Sequence, residues 1–267
     1  MKVWTLALNT LESFLHNRLV LLLLLVGAGI VLIMMAPLLQ VKARITVQNT
    51  SMVESMVLEA ISQVMGFMSG LGSLLAAWAA TDSLGSELKA GTVLAVMARP
   101  VKRWEFLLGK YLGVLLMMAG YVVMMVGVSH VLAWMGGQHI QVSPLAMFAY
   151  PLARYAIYAA IAMLCATVAG PVVSMVVVLA IAILGDMVLP STPAWKPWLM
   201  WLKHGLYYAL PSMELLSEER FLSLRQATLH PMKWQEQAVS VLYGWDYALV
   251  VLLVAMWSFH YRTLRRD

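Results

Sequence analysis

Residues 19–39 read LVLLLLLVGAGIVLIMMAPLL, a stretch without a charged side chain. A bilayer core about 30 Å thick requires about 20 apolar residues per helical span, so this stretch is long enough to cross a membrane. It is longer than the apolar region of a secretory signal, and no small-residue cleavage site follows it, so we expect it to be retained. The stretch therefore predicts a transmembrane helix.

Five further windows of similar length and character follow along the chain. Hydrophobic residues make up 62% of the sequence and charged residues only 12%, whereas soluble domains have about 25% charged residues. Backbone amides in hydrocarbon must be satisfied within their own segment, so the windows are predicted to be helices rather than strands. The predicted fold is an all-α polytopic membrane protein, a single transmembrane domain over residues 1–267 with spans at 19–39, 60–80, 112–135, 150–168, 172–189 and 245–263.

The basic residues predict which side of these spans faces the cytoplasm. Six spans place both termini on one side, together with the loops at 81–111 and 169–171. Of the 18 Lys and Arg, that side holds ten, namely Lys2, Arg18, Lys89, Arg99, Lys102, Arg103, Lys110, Arg262, Arg265 and Arg266. The positive-inside rule therefore places both termini in the cytoplasm. The net charge of +5 does not indicate a nucleic-acid partner, because the basic residues flank membrane spans.

Residues 1–18 have the pattern of an amphipathic helix. Apolar residues recur at i, i+4, i+7 and i+11, namely Trp4, Leu8, Leu11 and Leu15. This spacing predicts a helix that lies in the membrane interface before the first span. A plain cytoplasmic extension of the first span is the alternative.

The loop at 81–111 contains the sequence DSLGSELKAGTVLAVMARPVKRWEFLLGK. It predicts two short helices and the start of a third near Val101, with caps at Asp82 or Ser83 and at Thr92, and stops at Gly91 and at Arg99-Pro100. Short helices joined by Gly and Pro indicate a rigid unit that can pass a push from one protein to another. A solvated connecting loop is the alternative interpretation.

Three patterns follow one another in this loop: D-x4-E-x3-G-T, then R-P-V-x-R, then L-L-G-K-x-x-G. They are formed by Asp82, Glu87, Gly91, Thr92, Arg99, Pro100, Arg103, Gly109, Lys110 and Gly113. Together they resemble the cytoplasmic loop of ABC type-2 transporter permeases. The six-span layout resembles most closely the permeases of nitrous-oxide-reductase maturation transporters.

The resemblance implies an ABC type-2 exporter-like fold in a bacterial cytoplasmic membrane, with residues 1–18 as an elbow helix. It also implies a coupling helix in the loop 81–111 that contacts a separate ABC ATP-binding subunit. The coupling residues that it implies are Asp82, Glu87, Gly91, Thr92, Arg99, Pro100 and Arg103. Since one such chain supplies half of a transporter, a second copy or a paralogous permease is a further expected partner.

The sequence lacks a phosphate-binding loop of its own. Its Gly109-Lys110 pair is followed by Tyr111, which does not fit G-x4-G-K-[ST]. We therefore expect no cofactor in this chain, and ATP and Mg on the partner ATPase. The chain is not expected to be an enzyme.

Other residues suggest sites inside the spans. Arg154, near the start of the fourth span, is expected either to form an ion pair with Asp186 or to line a substrate path. The 21 methionines could bind Cu(I), but they also suit flexible core packing, and no metal site is predicted. Two glycine pairs, Gly66-x3-Gly70 and Gly109-x3-Gly113, could allow close helix contacts between or within subunits.

Two functions fit these observations. The first is the membrane permease of an ATP-binding cassette exporter. The second is a non-transporting membrane anchor, or a subunit that transmits mechanical work to an extracytoplasmic accessory protein through the outer segment 190–244. Secondary transport is disfavoured because the spans lack the acidic residues of a proton relay.

Overall fold

The computed structural model describes residues 2–18, 20, 22, 25–31, 50–90, 102–136, 144–183, 211, 216 and 234–261. The regular structure in these ranges is helical, which confirms the predicted all-α fold, and residues 25–31 belong to it. Six helices have defined bounds: α1 Lys2–Leu15, α2 Thr50–Ala90, α3 Arg103–Gly136, α4 Pro144–Ala169, α5 Pro171–Ile183 and α6 Trp234–Tyr261.

Four of these helices are long and apolar enough to cross a membrane. The spanning segments are Ile61–Gly85, Arg103–Trp134, Met147–Ala169 and Gln237–Tyr261. The helix α5 is apolar but has 13 residues, and the rest of the predicted span 172–189 lies outside the described residues, as does most of 19–39. Six spans therefore stay a prediction, of which four coincide with membrane-length helices.

Several helices extend beyond the apolar windows that predicted the spans. The helix α2 begins at Thr50 and continues to Ala90, so it is roughly 60 Å long at 1.5 Å per residue, about twice the thickness of a bilayer core. The helix α3 already begins at Arg103, and α6 begins at Trp234, inside the predicted outer segment. The length of an apolar window reflects the thickness of the hydrocarbon core. The ends of the helix are set by its caps, which can lie outside that window.

The helix α4 lies at the centre of the bundle. It contacts α2, α3, α5 and α6, and every residue from 153 to 163 is buried. In contrast, α6 exposes a long apolar face, with Leu242, Leu249 and Trp257 each more than half exposed. An apolar face of this extent is stable only against lipid or another protein.

Tyrosine hydroxyl groups tie neighbouring helices together. Tyr111 donates to the carbonyl of Ala156 at 3.1 Å, which joins α3 to α4. Tyr121 donates to the carbonyl of Met68 at 2.6 Å, which joins α3 to α2. Each bond supplies an acceptor that hydrocarbon cannot offer, and such bonds contribute about 0.6 kcal/mol on average.

The bundle has two distinct ends. We call the end with Ala90, Arg103, Gly170 and Tyr261 the basal end, and the opposite one the distal end. At the basal end Gly170 alone separates α4 from α5, and its φ of 91° lies in the left-handed region that favours glycine. This single residue folds the two helices back on each other.

Candidate coupling site

Three of the seven predicted coupling residues lie near the basal ends of α2 and α3. Asp82 and Glu87 lie in the last turns of α2, and Arg103 is the first residue of α3. The remaining four candidates, which are Gly91, Thr92, Arg99 and Pro100, lie outside the described residues. The two helices that flank the loop are therefore the part of the site whose geometry can be described.

The predicted helix cap at Asp82 or Ser83 is wrong, because α2 runs through both residues. Hydroxyl groups in this region bond back along the helix instead. The Oγ1 atom of Thr81 donates to the carbonyl of Ala77 at 2.8 Å, and the Oγ atom of Ser83 donates to that of Ala80 at 2.9 Å. A hydroxyl that bonds to the preceding turn can remain inside a helix, so these residues do not interrupt it.

Thr81 also connects three helices. Its Oγ1 atom lies 3.0 Å from the Oγ atom of Ser174 on α5, and that Oγ atom donates to the carbonyl of Ala162 on α4 at 2.7 Å. We did not predict either hydroxyl from the sequence. The signal that could have revealed them is a Ser or Thr inside an apolar span, since such residues often bond across helices.

The side chain of Glu105 caps the start of α3. The backbone N–H of Lys102 donates to Oε2 of Glu105 at 2.9 Å. This is the glutamate half of a capping box, which satisfies an N–H group that the helix leaves open. The cap fixes where α3 begins relative to the loop.

Arg103 joins the basal ends of α3 and α6. Its Nη1 atom donates to the carbonyl of His260 at 2.8 Å and to that of Phe259 at 3.5 Å. The last carbonyls of a helix lack a donor within the helix and carry partial negative charge, so a guanidinium group stabilises them. The rings of Phe106 and Phe259 stack beside this contact with centroids 6.3 Å apart, and Nζ of Lys110 lies 5.9 Å from the Phe106 centroid.

The helix α1 lies in a groove of α3 that two glycines leave open. A Cβ atom at Gly113 would lie 2.6 Å from Cβ of Thr10 and 2.8 Å from the carbonyl oxygen of Ala7. One at Gly109 would lie 2.7 Å from Cβ of Leu6. Backbones come this close only where a side chain is missing. This glycine pair therefore serves packing within the chain, the second of the two predicted alternatives.

The other glycine pair makes no such contact. Gly66 and Gly70 are exposed on α2, and no described side chain would meet a Cβ atom within 4 Å at either position. They lie one and two turns from Gln63, which is also exposed. No described residue therefore covers this face of α2.

Three apolar side chains are exposed on the face of α1 away from α3. Trp4, Leu8 and Leu15 are 57%, 43% and 60% exposed. They are three of the four residues of the predicted stripe, whereas Leu11 packs against the core. Such a face suits the boundary between headgroups and acyl chains.

Arg154 lies inside the bundle rather than near its edge. The helix α4 begins at Pro144, a favoured first position, and contains Pro151, so it starts well before Arg154. Arg154 is only 7% exposed, and its guanidinium carbon lies 5.9 Å from the ring centroid of Tyr158. A cation over an aromatic ring gains about 0.5–2 kcal/mol, which stabilises Arg154 at depth. Its predicted partner Asp186 lies outside the described residues.

One residue of the outer segment packs deep against the bundle. Leu216 is fully buried, and a Cβ atom at Gly244 on α6 would lie 3.1 Å from its Cδ1 atom and 3.0 Å from Cβ of Ala153 on α4. Gly244 lies about 10 Å inside the start of the apolar segment of α6, at 1.5 Å per residue. Leu216 therefore reaches into the groove between α4 and α6.

Comparison with known proteins identifies the family. The sequence profile described as "ABC-2 family transporter protein" matches residues 11–264. No match was found among curated proteins. The matched range includes all four membrane-length helices and the loop between α2 and α3. The chain therefore belongs to the ABC-2 transporter family, as a multi-pass membrane protein.

Proposed function

We propose that this chain is the permease half of an ATP-binding cassette exporter whose ATP hydrolysis takes place on a separate subunit. The observation that carries the proposal is the basal joint, which we define as α1 in the glycine groove of α3 together with Arg103 on the last turn of α6. The loop 91–101 leads directly into this joint. A force applied to the loop would move α1, α3 and the end of α6 together.

The remaining parts of the proposal follow from charge and family. The basal end faces the cytoplasm because it carries Lys102, Arg103 and Lys110. The exposed stripe of α1 then lies in the inner interface as an elbow helix. ATP and Mg bind to the partner ATPase, and the export direction comes from the family resemblance. The closer likeness to permeases of nitrous-oxide-reductase maturation rests on layout and stays a prediction.

A second permease half covers the open face of α2. Glu59, Gln63, Gly66 and Gly70 are exposed and recur at i, i+4, i+7 and i+11, so they share one stripe. Three of them lie within the membrane-length segment Ile61–Gly85. Burying an amide in hydrocarbon without a hydrogen bond costs about 2–7 kcal/mol, so lipid is a poor neighbour for Gln63. Another permease chain, with the path between the two, supplies both close packing and polar partners.

Photo-crosslinking tests this stripe. A benzophenone amino acid at position 63 in native membranes should crosslink to a permease chain, and the mass of the product distinguishes a second copy from a paralogue. The control is the same probe at Leu249, which is 56% exposed on the apolar face of α6, and it should react mainly with lipid. Crosslinking to protein at 249 but not at 63 would contradict the proposed interface.

Replacement of Arg103 by alanine tests the joint and the ATPase partner together. The wild-type chain should co-purify with an ATP-binding subunit. The Arg103→Ala variant should lose about 1–2 kcal/mol of stability, because the carbonyls at the end of α6 lose a charged donor. It should retain the ATPase subunit but hydrolyse ATP without coupled transport. Thermal unfolding, co-purification and ATPase assays measure these effects, with Lys102→Ala as the matched exposed control.

Two outcomes of this experiment would contradict parts of the proposal. Loss of the ATPase subunit at unchanged stability would show that Arg103 contacts the ATPase directly instead of acting through α6. Absence of a nucleotide-binding companion in the wild type would reject the exporter proposal and favour the membrane-anchor alternative.

A second candidate function rests on Leu216. Because this side chain fits between Ala153 and Gly244, a movement of α4 against α6 would also move the outer segment. The chain could then pass ATPase work to an extracytoplasmic protein without moving a substrate. Substitution of Leu216 by alanine would abolish that action while leaving a separate substrate path intact, which distinguishes the two functions.

A further inference from the structure

A cavity of about 610 Å³ lies at the basal end between α2 and α5. Sites for small organic ligands have volumes of roughly 300–1,000 Å³, so a molecule of this kind fits. Its apolar wall includes Trp78, Val172, Met175 and Val176, and its polar wall includes Thr81 and Asp82.

The cavity opens toward the surroundings of the bundle. Val172 and Val176 on its α5 wall are 73% and 60% exposed, which is typical of side chains that face lipid in a membrane protein. The cavity lies near the basal boundary of the membrane, because Asp82 is close to the end of the spanning segment Ile61–Gly85. A ligand would therefore come from the membrane leaflet on that side, and it needs an apolar body.

The charge of the cavity wall determines which polar group the ligand carries. Asp82 supplies a carboxylate, and no basic residue is present among the described residues that line the cavity. Trp78 supplies an indole ring, the aromatic group that binds cations best. The low dielectric of the surroundings strengthens attraction to a cation and repulsion of an anion.

We propose that this cavity binds an amphipathic organic cation, with Asp82 and Trp78 recognising the charge and the α5 wall the hydrocarbon part. Asp82 also takes part in an interaction within the chain, and the bound cation shares or replaces that contact. The inference rests on the proposed function in one respect, because that function makes the bound molecule a transported substrate. Binding itself requires no ATPase subunit.

The test measures binding of rhodamine 6G, a fluorescent lipophilic cation, to the purified full chain in phosphatidylcholine nanodiscs by fluorescence anisotropy. Empty nanodiscs provide the correction for partitioning into lipid. We expect saturable binding that Asp82→Asn weakens about tenfold or more and that Asp82→Glu largely retains, because the charge carries the recognition. Trp78→Leu should weaken binding more than Trp78→Phe does.

The matched control is Asp246→Asn, which removes the same charge from an exposed position on α6 away from the cavity. It should leave the affinity unchanged within about twofold, because Asp246 does not line the cavity and the effect of a charge falls with distance. Anilinonaphthalene sulfonate, an aromatic anion, should not compete. Equal affinity of the Asp82→Asn variant and the wild type, or equal binding of the anion, would overturn the proposal.

The circular dichroism spectrum and the elution volume of each variant show whether it is folded. If Asp82→Asn does not fold, the comparison of Trp78→Phe with Trp78→Leu still decides the matter. Failure of cation binding in a chain that co-purifies with its ATPase refutes this inference alone. Cation binding without any ATPase companion refutes the proposed exporter alone.

Discussion

Replacing Gly113 by leucine should detach α1 from α3 and uncouple the protein from the proposed ATPase subunit. The side chain would collide with Cβ of Thr10 and with the backbone carbonyl of Ala7, and backbone cannot move aside as a flexible side chain can. Overpacking costs about 1–3 kcal/mol or more. We expect a lower unfolding temperature of the purified permease, and ATP hydrolysis by the complex that no longer drives transport.

The matched control is Gly120→Leu, two turns further along α3. Gly120 is exposed, and no described atom would lie within 4 Å of a Cβ atom there. The same substitution should therefore leave both the unfolding temperature and the coupling close to wild type. Equal damage by the two variants would mean that a bulky residue anywhere on α3 is harmful and that the groove has no special role.

Replacing Gly72 by alanine should destabilise the centre of the bundle by about 1–3 kcal/mol. The added Cβ atom would collide with the hydroxyl group of Tyr155 and lie 2.7 Å from Cε1 of Tyr121. Neither ring can move easily, because Tyr155 is fully buried and Tyr121 is bonded to the carbonyl of Met68. Thermal unfolding of the detergent-purified chain measures the effect.

Gly70→Ala should change the stability in the opposite direction. This position is two residues earlier on the same helix, exposed and without a described neighbour. In a monomeric preparation, alanine should stabilise the helix there by up to about 1 kcal/mol, because it is the better helix former. If both variants shift the unfolding temperature in the same direction and by the same amount, the close packing of Tyr155 against α2 is not a constraint.

The apolar windows allowed the all-α membrane fold to be predicted, but they did not locate the helix ends. Exposed backbone groups are costly throughout the hydrocarbon core, so a spanning segment must be long and apolar. Spans that overlap Ile61–Gly85 and Gln237–Tyr261 could therefore be predicted from the sequence. The additional turns from Thr50 to Ala60 and from Trp234 to Gln237 lie outside that constraint. Caps and tertiary packing decide their conformation.

The candidate site could likewise be predicted only in part from the sequence. The family pattern assigned Arg103 to contact with an ATPase, whereas the structure shows its guanidinium on the carbonyl of His260, 157 residues along the chain. Periodicity cannot reveal a contact between residues so far apart. Likewise, Gly109 and Gly113 indicated a close approach, but only the fold shows that α1 is the partner.

The central position of α4 constrains how the chain is made. Helices leave the ribosome in order, so α4 enters the membrane before residues 234–261 of α6 exist. During that interval α4 lacks its contacts with α6, while it carries Arg154, a residue that costs about 2.5–3.5 kcal/mol at the centre of an isolated span. Lasting integration of α4 therefore depends on α2 and α3 already being in place and on the later arrival of α6. A nascent chain that stalls before α6 would leave the α6 side of α4 without the helix that packs against it.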